Sequence, residues 1–363
     1  MILQLYVARR FLFTFLALFA VFFGLMTLIE MLEAARRFGD DGAGLRQIMP
    51  LALLHVPGEI YGVLPLIVIL SAITLFLGLA RSSELVVARA AGRSALRVLV
   101  APIVVTGLIG AVVLAAFNPI VAATGREYER RADDVAGRAS TLALSEGGLW
   151  LRQGGPEGQV VIHAGGSNLD GTRLTGASFL VYGEAGAPER RIEAEEARLE
   201  PGHWRLTGAK SWPLTVANPE AEARSAPEMM LPSELTPEGI RDSFGDPSAV
   251  PVWELPAFIA QLRAAGFTAQ RHAVHLQMEL ALPALLIAMV MIAAAFTLRH
   301  QRGQRTGVMV LTAVLLGFAL YFLRNLARVL GETGQVAAPL AAWTPPLVAI
   351  LLALGLLLHL EDG

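Results

Sequence analysis

Between residues 98 and 117 the chain carries no charged side chain. A helix needs roughly 20 mainly apolar residues to cross the hydrocarbon core of a bilayer, where every backbone polar group must be satisfied within the protein. Such a stretch restricts the chain here to a membrane-spanning helix. Five further segments meet the same condition, giving spans at about 11–30, 59–80, 97–119, 275–298, 307–328 and 341–360. The first follows Arg9 and Arg10, like the basic start of a signal peptide. Its apolar run, Phe11 to Ile29, is longer than the roughly 7–15 residues of a signal core. A retained first span is therefore expected, with cleavage as the alternative.

The arginines set an expected orientation, because short cytoplasmic loops collect positive charge. With the N-terminus inside, the cytoplasmic pieces hold Arg9 and Arg10, then Arg81, Arg89, Arg93 and Arg97, then Arg299, Arg302 and Arg305. The opposite pieces hold Arg36, Arg37 and Arg46, diluted by Glu33, Asp40 and Asp41. Both termini are then cytoplasmic, and residues 120–270 lie on the other side.

Overall only 17% of residues are charged, against about 25% in an ordinary soluble domain. That average hides a division, since residues 125–250 read like a soluble protein. Short alternating stretches recur there, at Leu149–Arg152, Gln159–His163, Ser178–Tyr182, Arg190–Ala194 and Trp204–Thr207, broken by Gly and Pro. Period-two alternation with such punctuation predicts an antiparallel sandwich or roll. Trp150, Phe179, Tyr182, Trp204 and Trp212 are expected to face inward, most simply as core. Residues 120–140 predict an amphipathic helical stalk leading into this domain. Residues 251–270 predict a helix at the membrane surface leading out of it. The boundaries expected are 1–124 for spans one to three, 125–250 for the β-domain and 251–363 for spans four to six.

Several chemistries are disfavoured or excluded. Cysteine is absent, which removes disulfides, thiolate zinc sites and thiol nucleophiles. The only lysine is Lys210, in Thr207-Gly208-Ala209-Lys210-Ser211, where an alanine interrupts the Gly-Lys pair that a phosphate-cradling loop needs. His272 and His275 are three apart with no third ligand nearby in sequence, so interfacial or solvated histidines are expected. No G-x-S-x-G motif occurs. A net charge of −2 suggests no nucleic-acid partner. An enzyme is therefore disfavoured.

The informative loop is Arg81-Ser82-Ser83-Glu84-Leu85-Val86-Val87-Ala88-Arg89-Ala90-Ala91-Gly92. Ser82 or Ser83 can cap a helix with Glu84 in its first turn, and Gly92 can end it. Such a helix can dock in a partner's groove or merely turn the chain, and the residues themselves leave both readings open.

This loop resembles the coupling helix of the LptF/LptG permeases, membrane subunits of the lipopolysaccharide-export ABC transporter. The resemblance extends along most of the chain: Pro57 and Pro65 near the start of span two, Gly147-Gly148-Leu149-Trp150 opening the β-domain, and Gly317-Phe318 with Tyr321 in span five. The loop and the Gly-Leu-Trp strand favour the LptG branch. The resemblance implies six membrane helices, three plus three, around an inserted periplasmic all-β jelly-roll-like domain in a Gram-negative inner membrane. It implies a non-catalytic subunit without a cofactor of its own, ATP and Mg²⁺ being used by a separate LptB-like ATPase dimer. Its implied partners are a sister LptF/LptG permease, periplasmic LptC-like and LptA-like jelly-roll proteins, membrane lipid and lipopolysaccharide. The alternative is a membrane-anchored scaffold that recruits periplasmic partners without transport.

Carried onto this sequence, the family pattern places ATPase coupling at Glu84, with Arg81, Leu85 and Arg89 beside it. Arg36 and Arg37 fall where the lipid's phosphates are met, in agreement with the bidentate chemistry of arginine; anchoring of the span end is the alternative. Another position expected to be basic, about two turns earlier, is Glu30. Phe19, Phe22, Phe23, Leu66, Phe318 and Tyr321 are candidates for acyl-chain contact. Arg324, Asn325 and Arg328 are headgroup or gate candidates, because polar groups near a span end are costly unless paired or facing a cavity.

Overall fold

The computed structural model describes residues 2–38, 45–82, 84, 95–136, 142–145, 148–155, 158–167, 172–183, 187–233, 235–236, 246–264, 268–297 and 306–362. The chain divides into two compact units. One comprises Met1–Ala136, Ser248–Leu255 and Gln270–Gly363, and the other Gly137–Pro247 and Pro256–Ala269.

The first unit is helical. Its helices are α1 (Ile2–Phe38), α2 (Leu45–Arg81), α3 (Ala95–Val112) and α4 (Asn118–Ala136), then α6 (Gln270–Leu280), α7 (Leu282–Thr297), α8 (Thr306–Glu332) and α9 (Ala338–Asp362). Among the described residues, five stretches are long and apolar enough to cross a membrane: Ile2–Arg37, Ile48–Arg81, Arg97–Ala132, Gly307–Glu332 and Ala338–His359. The pair α6 and α7, bent by 48°, makes a sixth when counted as one broken span. The bend has a local cause. Pro283 has no N–H to return to the carbonyl four residues back, which belongs to Glu279.

Helix α7 is central. Twelve of its sixteen residues are buried, so it is surrounded by protein and not by lipid. Around it Phe11, Leu64, Val68, Phe76, Leu99, Ala313 and Leu357 close a continuous core. Small residues set the closest approaches. A Cβ on Gly110 of α3 would fall 2.8 Å from the Cα of Pro283, and one on Gly317 of α8 would fall 2.7 Å from Ile69 Cδ1. Dispersion and close backbone approach are what hold helices together in lipid, so such glycines are packing positions.

The expected stalk is continuous with span three. A π-helical segment, Val113–Phe117, joins α3 to α4, with the Asn118 N–H donating to the Val113 carbonyl. Tyr128 and Ala132 of α4 pack against Ala34, Ile48 and Leu51.

The second unit is one antiparallel sheet of seven strands in sequential order: β1 (Leu142–Ser145), β2 (Gly148–Gly155), β3 (Gly158–Ser167), β4 (Arg173–Tyr182), β5 (Pro188–Glu200), β6 (His203–Pro213) and β7 (Arg224–Pro232). Among the described residues the strands follow chain order, without the crossed connections of a Greek key, and the sheet curls so that β2 meets the end of β7. Gln153 of β2 closes it: its amide donates to the Pro232 carbonyl at 3.1 Å, and its carbonyl accepts from Trp204 Nε1 at 3.3 Å and Ser233 Oγ at 2.7 Å. Phe179 and Trp204 are fully buried, 6.1 Å apart edge to face.

A fold line crosses this sheet. Buried residues skip from Leu174 to Ala177 in β4, from Ala194 to Ala197 in β5 and from Leu206 to Ala209 in β6. Gly176 and Gly208 on that line have φ of +58° and +64°, a conformation that L-residues with a Cβ adopt at a cost. The shift re-aims each strand so that both halves present apolar side chains to the inside.

Trp150 corrects one expectation. It is 42% exposed and lies against His163, because its neighbour Leu151 takes the inward position of the alternation. Tyr182 and Trp212 are half-buried. Lys210 sits in β6, paired with Glu220 at 2.5 Å, and not in a phosphate-binding loop. Helix α5 (Leu255–Ala264) groups almost entirely with this β unit.

Candidate functional site

An apolar groove opens between α2 and α8. Its walls are Gly62, Val63, Pro65, Leu66 and Ile69 of α2, Gly317, Phe318 and Tyr321 of α8, and Met289 of α7. Leu66, Phe318 and Tyr321, far apart in sequence, therefore meet at one site. Gly62 and Gly317 leave the space, and Phe318 and Tyr321 remain exposed within it. Phe19, Phe22 and Phe23 lie elsewhere. Phe19 sits 6.0 Å from Phe15, 6.4 Å from Phe23 and 6.4 Å edge-on from Phe117, and Phe19 and Phe22 pack on the helical core. Phe23 is exposed on α1, which also exposes Leu16, Val21, Leu25 and Leu28 as apolar surface. Helix α8 shows a similar surface through Leu311, Leu315, Phe322 and Leu326.

A buried polar cluster accompanies the groove, and its centre was not among the candidates read from the sequence. Glu279, 4% exposed, stands at the bend between α6 and α7. It accepts hydrogen bonds from the Tyr61 hydroxyl and from Asn118 Nδ2, the latter at 3.0 Å, and His275 Nε2 lies 3.9 Å away. The Asn118 carbonyl in turn accepts the Val252 N–H at 2.9 Å, and Trp253 Nε1 donates to the Ala115 carbonyl within the π-helical segment. Arg324 lies within electrostatic reach of Glu279 and Tyr61. A carboxylate at this depth is costly unless paired, so the cluster ties three spans at the point where one bends and another carries a π segment.

The histidines correct another expectation. His272 is buried, and the His275 side chain is only 12% exposed, because α6 packs on α9 through Val274, Met278 and Ala342. Of the other candidates on α8, Asn325 is exposed and Arg328 pairs with Glu332 at 2.7 Å.

Arg36 and Arg37 are exposed in the last turn of α1, where cations are favoured by the helix dipole. Arg37 donates to the Tyr128 hydroxyl at 3.0 Å and lies 4.0 Å from Glu33. One face of the Tyr128 ring covers His55, at 4.5 Å, and His55 Nδ1 is 3.0 Å from a Glu30 carboxylate oxygen.

Glu84 is held within the chain. Its Oε1 accepts from Ser82 Oγ at 2.7 Å, Arg10 Nη1 at 3.1 Å and the Tyr6 hydroxyl at 3.4 Å. Partial burial pushes its pKa up, but the Ser82 and Arg10 hydrogen bonds outweigh that and hold the carboxyl below the usual range. Arg81 ends α2, exposed. Leu85 and Arg89, with the rest of the expected coupling helix to Gly92, lie outside the described residues.

The family model described as "Lipopolysaccharide export system permease LptF/LptG" matches residues 5–359. Among curated proteins, the chain is similar to the lipopolysaccharide export system permease protein LptG of Escherichia coli strain K12. The two are 24% identical over 343 residues, covering 93% of this chain and 91% of that relative. LptG of Escherichia coli O6:H1 strain CFT073 matches to the same extent. With apolar helices, an inserted antiparallel β-domain and a family match along nearly its whole length, this chain is a multi-pass membrane protein of the LptF/LptG family of lipopolysaccharide export permeases.

Proposed function

We propose that this chain is the LptG-like half of a transporter that takes lipopolysaccharide from the inner membrane and passes it to a periplasmic bridge. The meeting of Leu66, Phe318 and Tyr321 in one apolar groove carries this reading. An acyl chain needs a continuous apolar wall, and a groove of small and aromatic residues provides one without filling itself. The exposed apolar faces of α1 and α8 suit a sister permease that closes the cavity from the other side.

On this reading Arg36 and Arg37 meet the lipid's phosphates, and Arg324, Asn325 and Arg328 border the cavity or gate it. Glu84 meets a cytoplasmic LptB-like ATPase dimer, assisted by Arg81, Leu85 and Arg89, and ATP with Mg²⁺ is consumed there. The β-domain lies in the periplasm and aligns with LptC-like and LptA-like roll domains, while both termini stay in the cytoplasm. A scaffold without transport is the competing reading, and it requires neither an acyl-chain groove nor an ATPase contact. Depletion of the chain in the cells that make it separates the two. Newly made lipopolysaccharide should then accumulate in the inner-membrane fraction; unchanged arrival at the cell surface would overturn the transport reading.

A further inference from the structure

Three donors converge near the end of α1 and the start of α2. The ligand atoms of Glu30, His55 and Glu59 all lie within 4.8 Å of one another. Glu30 and Glu59 come from different helices, and His55 stands one turn before Glu59 on α2. Two carboxylates this close repel each other unless a cation stands between them.

A second observation concerns what these atoms lack. Glu30 is 7% exposed, yet among the described residues no donor makes a hydrogen bond to its carboxylate. His55 Nδ1 is buried and also without a hydrogen-bond partner, although it stands 3.0 Å from Glu30 Oε2. The pair is close but not aligned for sharing a proton. Two ligands held by one ion at about 2.0–2.2 Å lie roughly 3.0–3.6 Å apart, and the Glu30–His55 separation falls at the short end of that range. Tyr128 covers one face of the imidazole and accepts a hydrogen bond from Arg37 at 3.0 Å, so the ring's orientation is braced from outside the cluster.

We propose that Glu30, His55 and Glu59 form a divalent-cation site. One imidazole and two carboxylates suit zinc or manganese, since an imidazole ligand disfavours calcium and magnesium. Three protein ligands leave a coordination position open. Glu59 is exposed and His55 half-exposed, so that position is reachable by water or an anionic oxygen. The bound ion would turn an acidic corner beside Arg37 into one that accepts phosphate. This last step alone rests on the lipid-export reading.

The test is a titration of the purified full chain in detergent, stripped with chelator and free of lipopolysaccharide, with ZnCl₂ and with MgCl₂ as the control. One equivalent of Zn²⁺ should bind, raising the melting temperature. Glu30→Gln, His55→Gln and Glu59→Gln should each weaken it by more than the about 10- to 100-fold lost when only a ligand's hydrogen-bond partner is removed, while Glu33→Gln should bind as the native chain does. Melting of the metal-free variants shows which remain folded, and exposed Glu59 gives the test even if the buried Glu30 variant does not fold. Absence of stoichiometric binding, or equal binding by native chain and variants, would overturn the site. Because no lipid is present, that failure is separate from failure of the export reading. The phosphate step is read from photocrosslinking of lipopolysaccharide at Arg37, which should fall when the metal is stripped and recover on adding Zn²⁺; indifference to metal would refute that step.

Discussion

Replacement of Gly110 by alanine tests whether close approach of α3 to α7 holds the helical unit together. The added Cβ would stand 2.8 Å from both Cα and Cβ of Pro283 and 3.2 Å from its Cγ. Carbon atoms pack at about 3.5–4.0 Å, so one helix must withdraw by roughly 0.7–1 Å. Neither neighbour can yield by rotating a side chain, because the contact includes backbone and a proline ring. Overpacking of this kind costs about 1–3 kcal/mol, partly offset by the gain of about 1 kcal/mol when alanine replaces glycine in a helix.

Gly107, one turn earlier on the same helix, supplies the control. Its Cβ would meet only Ile287 Cδ1, at 3.9 Å, an ordinary contact. Gly107→Ala should therefore keep the helix-propensity gain without the clash. The difference between the two variants isolates the clash at about 1–3 kcal/mol. At about 2–4 °C per kcal/mol for a unit the size of the helical one, that is a readable gap in melting temperature. Thermal unfolding of the full chain in one detergent, followed by intrinsic fluorescence, measures it. If Gly110→Ala melts at or above Gly107→Ala, the close approach is not what sets the packing there.

The β unit should respond to loss of its closing residue. Gln153→Ala leaves Trp204 Nε1, Ser233 Oγ and the Pro232 carbonyl without their partner, a loss of about 1–3 kcal/mol that tryptophan fluorescence during urea unfolding would register. Gly176→Ala tests the fold line without a steric term, since nothing lies within 4 Å of its Cβ position; the positive φ alone should cost about 1–2 kcal/mol, and unchanged stability would count against the fold line. The Glu84 attachment to Arg10 should depend on pH with a definite sign. Because its folded pKa lies below the ordinary 4.5, the stabilisation is complete above that value and disappears as pH falls through the lowered one. Hydrogen exchange around residues 78–82 should thus be flat from pH 7 to 5, after correction for the intrinsic rate, and should rise at neutral pH in Glu84→Gln. Glu84→Arg should also abolish co-purification with the ATPase, and unchanged binding would remove Glu84 from that contact.

What could be read from the sequence depended on how far apart the deciding residues were. The spans were legible because continuous apolarity is a local property, and so were most strands, whose alternation is visible within five residues. The bend at Pro283 was hidden inside what reads as one apolar segment. Trp150 was misplaced because an aromatic in an alternating strand fits either face, and only the burial of Leu151 decides which. The groove residues Leu66, Phe318 and Tyr321 came from the family resemblance, but their meeting depends on α2 packing against α8 through Ile69 and Gly317.

Other parts of the site left almost no local signal. Glu279 sits in Met278-Glu279-Leu280, where a single acid at the edge of an apolar run reads as a span boundary. Its partners Tyr61 and Asn118 lie 218 and 161 residues away. Glu30 stood out only as an acid where a base was expected, and nothing in the sequence joins it to His55 and Glu59. Arg10 reads as an orientation signal, and the Glu84 carboxylate it binds lies 74 residues further on. A charged residue inside or bordering an apolar span was the available clue in each case.

The most direct measurement is photocrosslinking from single positions in native membranes: Phe318 in the groove, Arg37 at the end of α1, and Leu352 on the exposed face of α9 as control. A lipid-handling groove predicts lipopolysaccharide adducts from Phe318 and Arg37 that decline on ATP addition, with none above background from Leu352. Adducts from Leu352 as abundant as those from Phe318, or none at Phe318, would contradict it.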